Sequence, residues 1–274
     1  MLDVPASPLR LPRLLLTGAA GNLGRELRPR LKAYCDVLRV SHRRDIGPAS
    51  DGEEVQLAEL SDADQMMALL AGVDAVVHMG GVSTEQPWEP ILAGNIVGAV
   101  NLYEAARRQG VRRIVFASSN HVTGFYRQDE VIDTRSPPKP DGFYGLSKAF
   151  GENLAELYWN RWGVETVSLR IGSSFAEPKD RRMLATWLSF DDLERLIVAA
   201  LTAPIVGHTV IYGVSDNQAC WWDNRHARHL GYRPGDSSDR FRAAVEARQP
   251  VIDRGDPAAI YQGGGFVKVS PHGD

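Results

Sequence analysis

With 274 residues and 43% hydrophobic content, the chain is long enough to bury one large core or two small ones. A formal net charge of −3 gives no electrostatic basis for nucleic acid or an anionic membrane as partner, and no apolar run reaches the roughly 18 residues that span a bilayer. The two cysteines, Cys35 and Cys220, stand far apart; they argue against a disulfide framework and a thiolate metal site, and for a reducing, cytoplasmic compartment.

Residues 1–12 carry prolines but no long apolar core of a signal peptide, and read as a loose tail. Short apolar runs then alternate with longer segments of helical period, the pattern of a parallel sheet flanked by helices. The first strand, 13–16, feeds Thr17-Gly18-Ala19-Ala20-Gly21-Asn22-Leu23-Gly24, and a helix follows over 23–33, with Pro29 set to kink it or shift its ends. Glycines in a strand-turn-helix let the backbone approach a pyrophosphate closely, and the helix N-terminus offers free N–H groups and a favourable dipole. Gly18, Ala20, Gly21, Asn22, Leu23 and Gly24 are therefore the first candidate contacts of a dinucleotide cofactor.

Further strands are predicted over 37–40, 55–57, 75–78, 113–117 and 166–170. Between them, Asp62 precedes a short helix through Leu70, 88–109 is helical with weak points at Gly94 and Gly98, and 144–162 is a long helix. The last third changes character: a helix over 190–203, a strand over 208–212 and a helix over 221–230 are followed by loops rich in Gly, Pro and Asp. The predicted fold class is α/β, a Rossmann-type doubly wound parallel sheet with a small C-terminal substrate-binding part. It divides into the tail at 1–12, a dinucleotide-binding domain at 13–172 and a capping segment at 173–274, which lies over the carboxyl ends of the sheet.

The chemistry concentrates in Tyr144-Gly145-Leu146-Ser147-Lys148. Residues four apart share a helix face, so the Lys148 ammonium can approach the Tyr144 phenol and favour its ionised form, lowering a pKa that starts near roughly 10. A tyrosinate near neutrality is a usable base for an alcohol proton. The same spacing alone describes many exposed amphipathic helices; the upstream glycine run, with Ser119 between the two, is what sets it apart.

The glycine spacing after Thr17, the segment Val76-Val77-His78-Met79-Gly80-Gly81, Asn95 in the next helix, Phe116-Ala117-Ser118-Ser119 and the ordered serine, tyrosine and lysine resemble the extended short-chain dehydrogenase/reductase superfamily, with its NAD-dependent epimerase/dehydratase family. The stretches from Ser118 to Tyr126, Arg170 to Ser174, Glu177-Pro178, Arg181 to Leu184, and Gly213 through Trp221-Trp222-Asp223-Asn224 resemble the uronate dehydrogenases within it. The likeness runs from Leu14 to about Phe266.

That resemblance implies oxidation of the anomeric carbon of glucuronate or galacturonate to an aldarolactone, with hydride passing to NAD and no metal, in a homo-oligomer whose partner is the small uronic acid. Tyr144 would be the base, Lys148 would hold its pKa down and bond the nicotinamide ribose, and Ser119 would hydrogen-bond the reacting oxygen. His42, Arg43, Glu59, Leu60, Met79, Gly80, Gly81, Asn95 and Ile171 join the glycine run around the cofactor. Ser83, Asn120, His121 and Ser173 would bond the sugar, and Arg182, with Arg181 as rival, would grip its carboxylate bidentately. His121 also reads as a packed, hydrogen-bonded histidine, and Trp221-Trp222 reads as packing more than as a sugar platform.

One departure stands out: His42-Arg43-Arg44 occupies the strand end where NAD-using relatives usually carry an acidic residue, which leaves NADP as the alternative to NAD. Two other functions fit the same motifs. A nucleotide-sugar epimerase or dehydratase needs a nucleotide-binding lobe that the short stretch after Phe190 hardly provides, and a catalytically silent dinucleotide sensor needs no Ser119, Tyr144 or Lys148.

Overall fold

The computed structural model describes residues 10–249, 251, 253–270 and 272. The chain builds β1 (Leu11–Thr17), α1 (Asn22–Leu31), β2 (Cys35–Ser41), β3 (Glu53–Val55), α2 (Ala63–Leu69), β4 (Ala75–His78), α3 (Trp88–Ile91) and α4 (Gly98–Gln109). There follow β5 (Arg113–Ser119), β6 (Ile132–Asp133), α5 (Phe143–Trp162), β7 (Glu165–Ile171), α6 (Met183–Thr186), α7 (Phe190–Thr202), β8 (His208–Gly213), β9 (Trp222–Asp223), α8 (Arg242–Arg248) and α9 (Pro257–Ile260). Seven strands form one parallel sheet in the order β3-β2-β1-β4-β5-β7-β8, and β6 pairs with β9 apart from it.

Alternation along β1 explains the layering. Leu14 and Leu16 face one core with Leu27, Leu31, Leu193 and Leu196, while Leu15 faces another with Met66, Leu102, Tyr103 and Tyr158. Helices α1 and α7 therefore cover one face of the sheet, and α2, α4 and α5 the other. The strand order reverses between β1 and β4, where Thr17 and His78 lie in register, and ligands of open α/β sheets bind at such a switch point.

Several sequence expectations are corrected. Residues 1–9 lie outside the described residues, but Leu11 and Pro12, assigned to the tail, open β1. The strand expected over 55–57 sits at β3, two residues earlier, because its pairing runs Leu38↔Glu53 to Val40↔Val55 and Arg28 and Arg39 hold Glu53 and Glu54. Pro29 leaves α1 continuous to Leu31, since it sits exposed in the last turn, and the backbone then tightens to a 3-10 turn over Lys32–Tyr34.

The helix expected over 88–109 runs without interruption from Trp88 to Gln109, as α3, a π-helical turn at Leu92–Val97 and α4. Gly98 packs its backbone against Leu60, where a Cβ would come within 2.8 Å of the leucine Cβ. The helix expected over 221–230 is instead β9 and a 3-10 segment at Arg225–Leu230. Trp222 stacks on Tyr212 at 4.9 Å and pairs with Ile132, and the Asn224 amide bonds both the N–H and the carbonyl of Tyr212, so tertiary contacts extend the backbone there. The segment past Leu230, read as loops, contains α8 and α9. Within the 173–274 segment, β8 joins the sheet beside β7 and α7 packs into the same core.

Candidate active site

A cleft of about 1350 Å³ opens along the carboxyl ends of the strands, running from the β1–α1 turn to the C-terminal 3-10 turn at Gly264–Lys268. Its floor at one end is the glycine turn. Gly18 adopts φ of +70°, and a Cβ there would lie 2.6 Å from the Met79 carbonyl, so only glycine fits. A Cβ at Gly24 would lie 2.1 Å from the Gly18 oxygen. No side chain caps the N-terminus of α1 and no carboxylate stands in its first turn, which leaves its N–H groups facing the cleft for an anion. Beside this turn the Thr17 hydroxyl meets His78 Nδ1 at 2.8 Å and accepts from Gly80 N–H at 3.2 Å, tying β1 to β4. Burial, with the Lys148 charge adding to it, holds His78 down to about 3, so the ring is neutral.

Of the cofactor candidates, the glycine run, His42, Arg43, Glu59, Leu60, Met79, Gly80, Gly81 and Ile171 line the cleft. Asn95 does not. The π-helical turn swings it inward, where its Oδ1 accepts from Val82 N–H at 2.7 Å and its Nδ2 donates to Val82 O and to Ser147 Oγ. It fixes the strand-end loop from behind, and a Cβ at Gly81 would meet it at 2.5 Å.

Ser119 ends β5, and Tyr144 and Lys148 stand on the first turns of α5; all three are buried and line the cleft. Lys148 Nζ donates to Ala117 O at 2.8 Å and lies 5.6 Å from the centre of the Tyr144 ring. The electrostatics reverse the sequence expectation for the phenol. Burial pushes Tyr144 up to about 12, against the hydrogen bond with Ser119 that lowers it, and burial pushes Lys148 down to about 8. Desolvation is the largest cause at both groups, and the Asp141 charge raises the phenol further.

The far end of the cleft holds the polar candidates. Ser83, Asn120, His121, Ser173 and Arg182 all line it. Arg182 donates from Nε to Gln262 O at 2.6 Å and from one guanidinium nitrogen to Ser173 Oγ at 3.2 Å. The neighbours of Asn120 orient its amide so that the oxygen accepts from the other Arg182 nitrogen at 2.8 Å and the nitrogen donates to Ile171 O. Every one of these partners is neutral, and burial holds the guanidinium below its ordinary value against the pull of Asp180 and Asp141. Arg181 points away: it donates to Gln249 O and pairs with Glu246 on α8.

Four residues of the site carried no sequence signal. Asp141 Oδ2 lies 2.6 Å from His121 Nδ1, so His121 is both a packed histidine and a cleft residue. Phe266 stacks on that imidazole at 3.8 Å and stands 6.2 Å from the Tyr144 ring. Gln262 is fully buried, bonding Trp222 Nε1 and the carbonyls of Arg127 and Glu130 while its own carbonyl receives Arg182. Glu85 accepts from the first N–H groups of α5. Trp221 and Trp222 pack against one another and Tyr212, away from the cleft.

Residues 14–206 match the NAD dependent epimerase/dehydratase family. The chain is 59% identical to the uronate dehydrogenase of Pseudomonas syringae pv. tomato over 96% of its own length and 95% of the relative's. Its fold superposes on the crystal structure of glucuronic acid dehydrogenase from Chromohalobacter salexigens with a TM-score of 0.95 at 50% identity, covering 96% of this chain and all of that one. A mutant uronate dehydrogenase from Agrobacterium tumefaciens complexed with NAD gives a TM-score of 0.92 at 47% identity, with 94% and 97% covered. The chain belongs to the NAD-dependent epimerase/dehydratase family, and its similarity within it is to uronate dehydrogenases.

Proposed function

We propose that the protein oxidises the anomeric carbon of glucuronate or galacturonate to the corresponding aldarolactone, with NAD as hydride acceptor. The observation that carries this reading is Arg182. A guanidinium set into the cleft wall among neutral acceptors only, with no carboxylate in salt-bridge reach among the described residues, is costly unless an anion completes it. A uronate carboxylate matches its planar fork bidentately.

The glycine turn and the open N-terminus of α1 fit a dinucleotide pyrophosphate, since Gly18 and Gly24 keep the cradle clear of side chains. Bound NAD supplies a hydride acceptor and a positive ring. The chain's own groups do the rest. Tyr144, ionised when the positive ring and the Lys148 ammonium stand beside it, takes the proton of the anomeric hydroxyl, and Ser119, within hydrogen-bonding reach of the phenol, aligns that oxygen. Lys148, anchored to Ala117 O, keeps two N–H groups for the ribose and the phenolate. Asn120, His121, Ser173 and Ser83 hold the sugar hydroxyls, with Asp141 fixing the ring of His121.

A homo-oligomer is part of the proposal: α4 and α5 leave Val100, Leu146, Leu157 and Trp162 exposed, and Leu146 and Leu157, eleven residues apart, share one helix face. A cytoplasmic setting is supported by two free cysteines. No helix of the described residues is long and apolar enough to cross a membrane.

The test is a spectrophotometric panel of glucuronate, galacturonate and glucose with NAD, with the product identified by nuclear magnetic resonance. Reduction of NAD by either uronate with lactone formation, and little by glucose, is expected. Turnover of a nucleotide sugar with none of the free uronates would sink the proposal in favour of the epimerase reading.

A further inference from the structure

Beyond Ser41, where β2 ends, His42, Arg43 and Arg44 line the cleft together with Arg25 of α1. Neighbouring arginines are neutralised: Arg28 pairs with Glu53, and Arg39 with Glu54. Arg25, Arg43 and Arg44 have no carboxylate within salt-bridge distance among the described residues. Their charges converge on the half-buried His42, which burial first, and the Arg44, Arg43 and Arg25 charges after it, hold below its ordinary value against the opposing hydrogen bond with the Arg44 backbone.

The loop is also shaped to present a donor. His42 Nδ1 accepts from Arg44 N–H at 3.0 Å, so the proton of the neutral ring sits on Nε2. Two carboxylates share this part of the cleft. Asp45 turns its Oδ1 back onto Gly47 N–H at 2.9 Å, within its own turn, and Glu59 follows Ala58, whose N–H donates to the His42 carbonyl at 3.2 Å. No acidic side chain occupies the strand end itself, the position from which a carboxylate accepts ribose hydroxyls and repels a phosphate.

We propose that His42, Arg43, Arg44 and Arg25 form a phosphate subsite at the adenosine end of the cleft, so that the protein binds a dinucleotide phosphorylated on that ribose, NADP, as well as NAD. The inference rests on the reading of the cleft as a nicotinamide dinucleotide site. Guanidinium groups bind phosphate oxygens through paired N–H donors, and the Nε2–H of His42 adds one more. Because Arg43 and Arg44 are exposed, the attraction is screened by salt.

The experiment is equilibrium binding to the full chain: NADH and NADPH followed by nicotinamide fluorescence, and 5′-AMP against adenosine 2′,5′-bisphosphate by calorimetry. NADPH is expected to bind within about tenfold of NADH, and the bisphosphate more tightly than 5′-AMP, with NADPH weakening relative to NADH and the bisphosphate's advantage shrinking as salt is raised. His42→Asp should weaken NADPH by about tenfold or more while changing NADH less than about threefold, and the double variant Arg43→Ala/Arg44→Ala should reduce the salt dependence of NADPH binding. Wild-type protein that binds NADH but holds NADPH more than about a hundredfold more weakly overturns the subsite and leaves the dehydrogenase reading intact. Equal losses of both cofactors in His42→Asp do the same, and failure of wild type to bind either cofactor overturns both readings.

Discussion

The Glu85 carboxylate accepts hydrogen bonds from the backbone N–H groups of Phe143 at 2.8 Å and Tyr144 at 3.0 Å, so a residue from the loop after β4 holds the first turn of α5 in place. Gly142 has no side chain to obstruct that approach, since a Cβ there would lie 2.2 Å from a Glu85 oxygen. The carboxylate also faces the positive end of the helix dipole. Glu85→Ala should therefore lower thermal stability by about 1–2 kcal/mol and reduce kcat more than it raises KM for the uronate, because the phenol loses its alignment. Glu85→Gln keeps an acceptor oxygen and should recover most of both. Unchanged kcat in Glu85→Ala would show that the α5 terminus is positioned without it.

Tyr144→Phe should remove most turnover while NADH still binds, because the ring keeps its packing against His121 and Phe266 and loses only the ionisable oxygen. General base catalysis contributes about 100-fold to 10,000-fold. Stopped-flow or steady-state rates within a few fold of wild type would eliminate Tyr144 as the base.

Arg182→Lys should raise KM for glucuronate and galacturonate sharply, since an ammonium cannot reproduce two parallel hydrogen bonds or reach Ser173 and the Gln262 carbonyl together. With Gly264 packed so close that a Cβ would lie 2.4 Å from Arg182 Cδ, the arginine stem is held in one direction. Wild-type turnover of glucose as efficient as that of glucuronate would remove the carboxylate clamp from the mechanism.

Lys148 is held at about 8 in the folded protein, below its ordinary 10.5. Below the lower value both states carry the charge and its burial is a constant cost; between the two, the unfolded chain binds more protons, so stability rises with pH across that window. Lys148→Met should thus raise the stability at neutral pH, and with it the melting temperature, by about 1–3 kcal/mol of unfolding free energy once the lost bond to Ala117 O is set against the relieved desolvation, and abolish turnover. The gap in melting temperature should close as pH rises from about 8 towards 10.5. A variant less stable than wild type at neutral pH, with no such closing, would mean that Lys148 is a net structural support.

The parallel sheet was legible in the sequence because each strand is a short apolar run bounded by turn residues, and the cores on its two faces need only alternation. Where side-chain contacts from distant segments decided the backbone, legibility failed. Trp222 became a strand residue through Tyr212 and Ile132, and β3 took its register from arginines on α1 and β2. The π-helical turn follows from Asn95 reaching Val82 and Ser147, neither marked by any local pattern.

The sequence by itself determined the glycine cradle, the Ser119, Tyr144 and Lys148 order, and the cationic strand end at His42, because each is a matter of residue type at fixed short spacing. Arg182 already ranks ahead of Arg181 in the sequence; tertiary structure set Arg182 in the cleft wall and Arg181 against α8, joined Asp141 to His121, and brought Phe266, Gln262 and Glu85 to the site. It also set the sign of the Tyr144 shift. Helical spacing places a lysine beside a tyrosine, but how much water surrounds the pair depends on the whole fold, and here burial decides the direction for both.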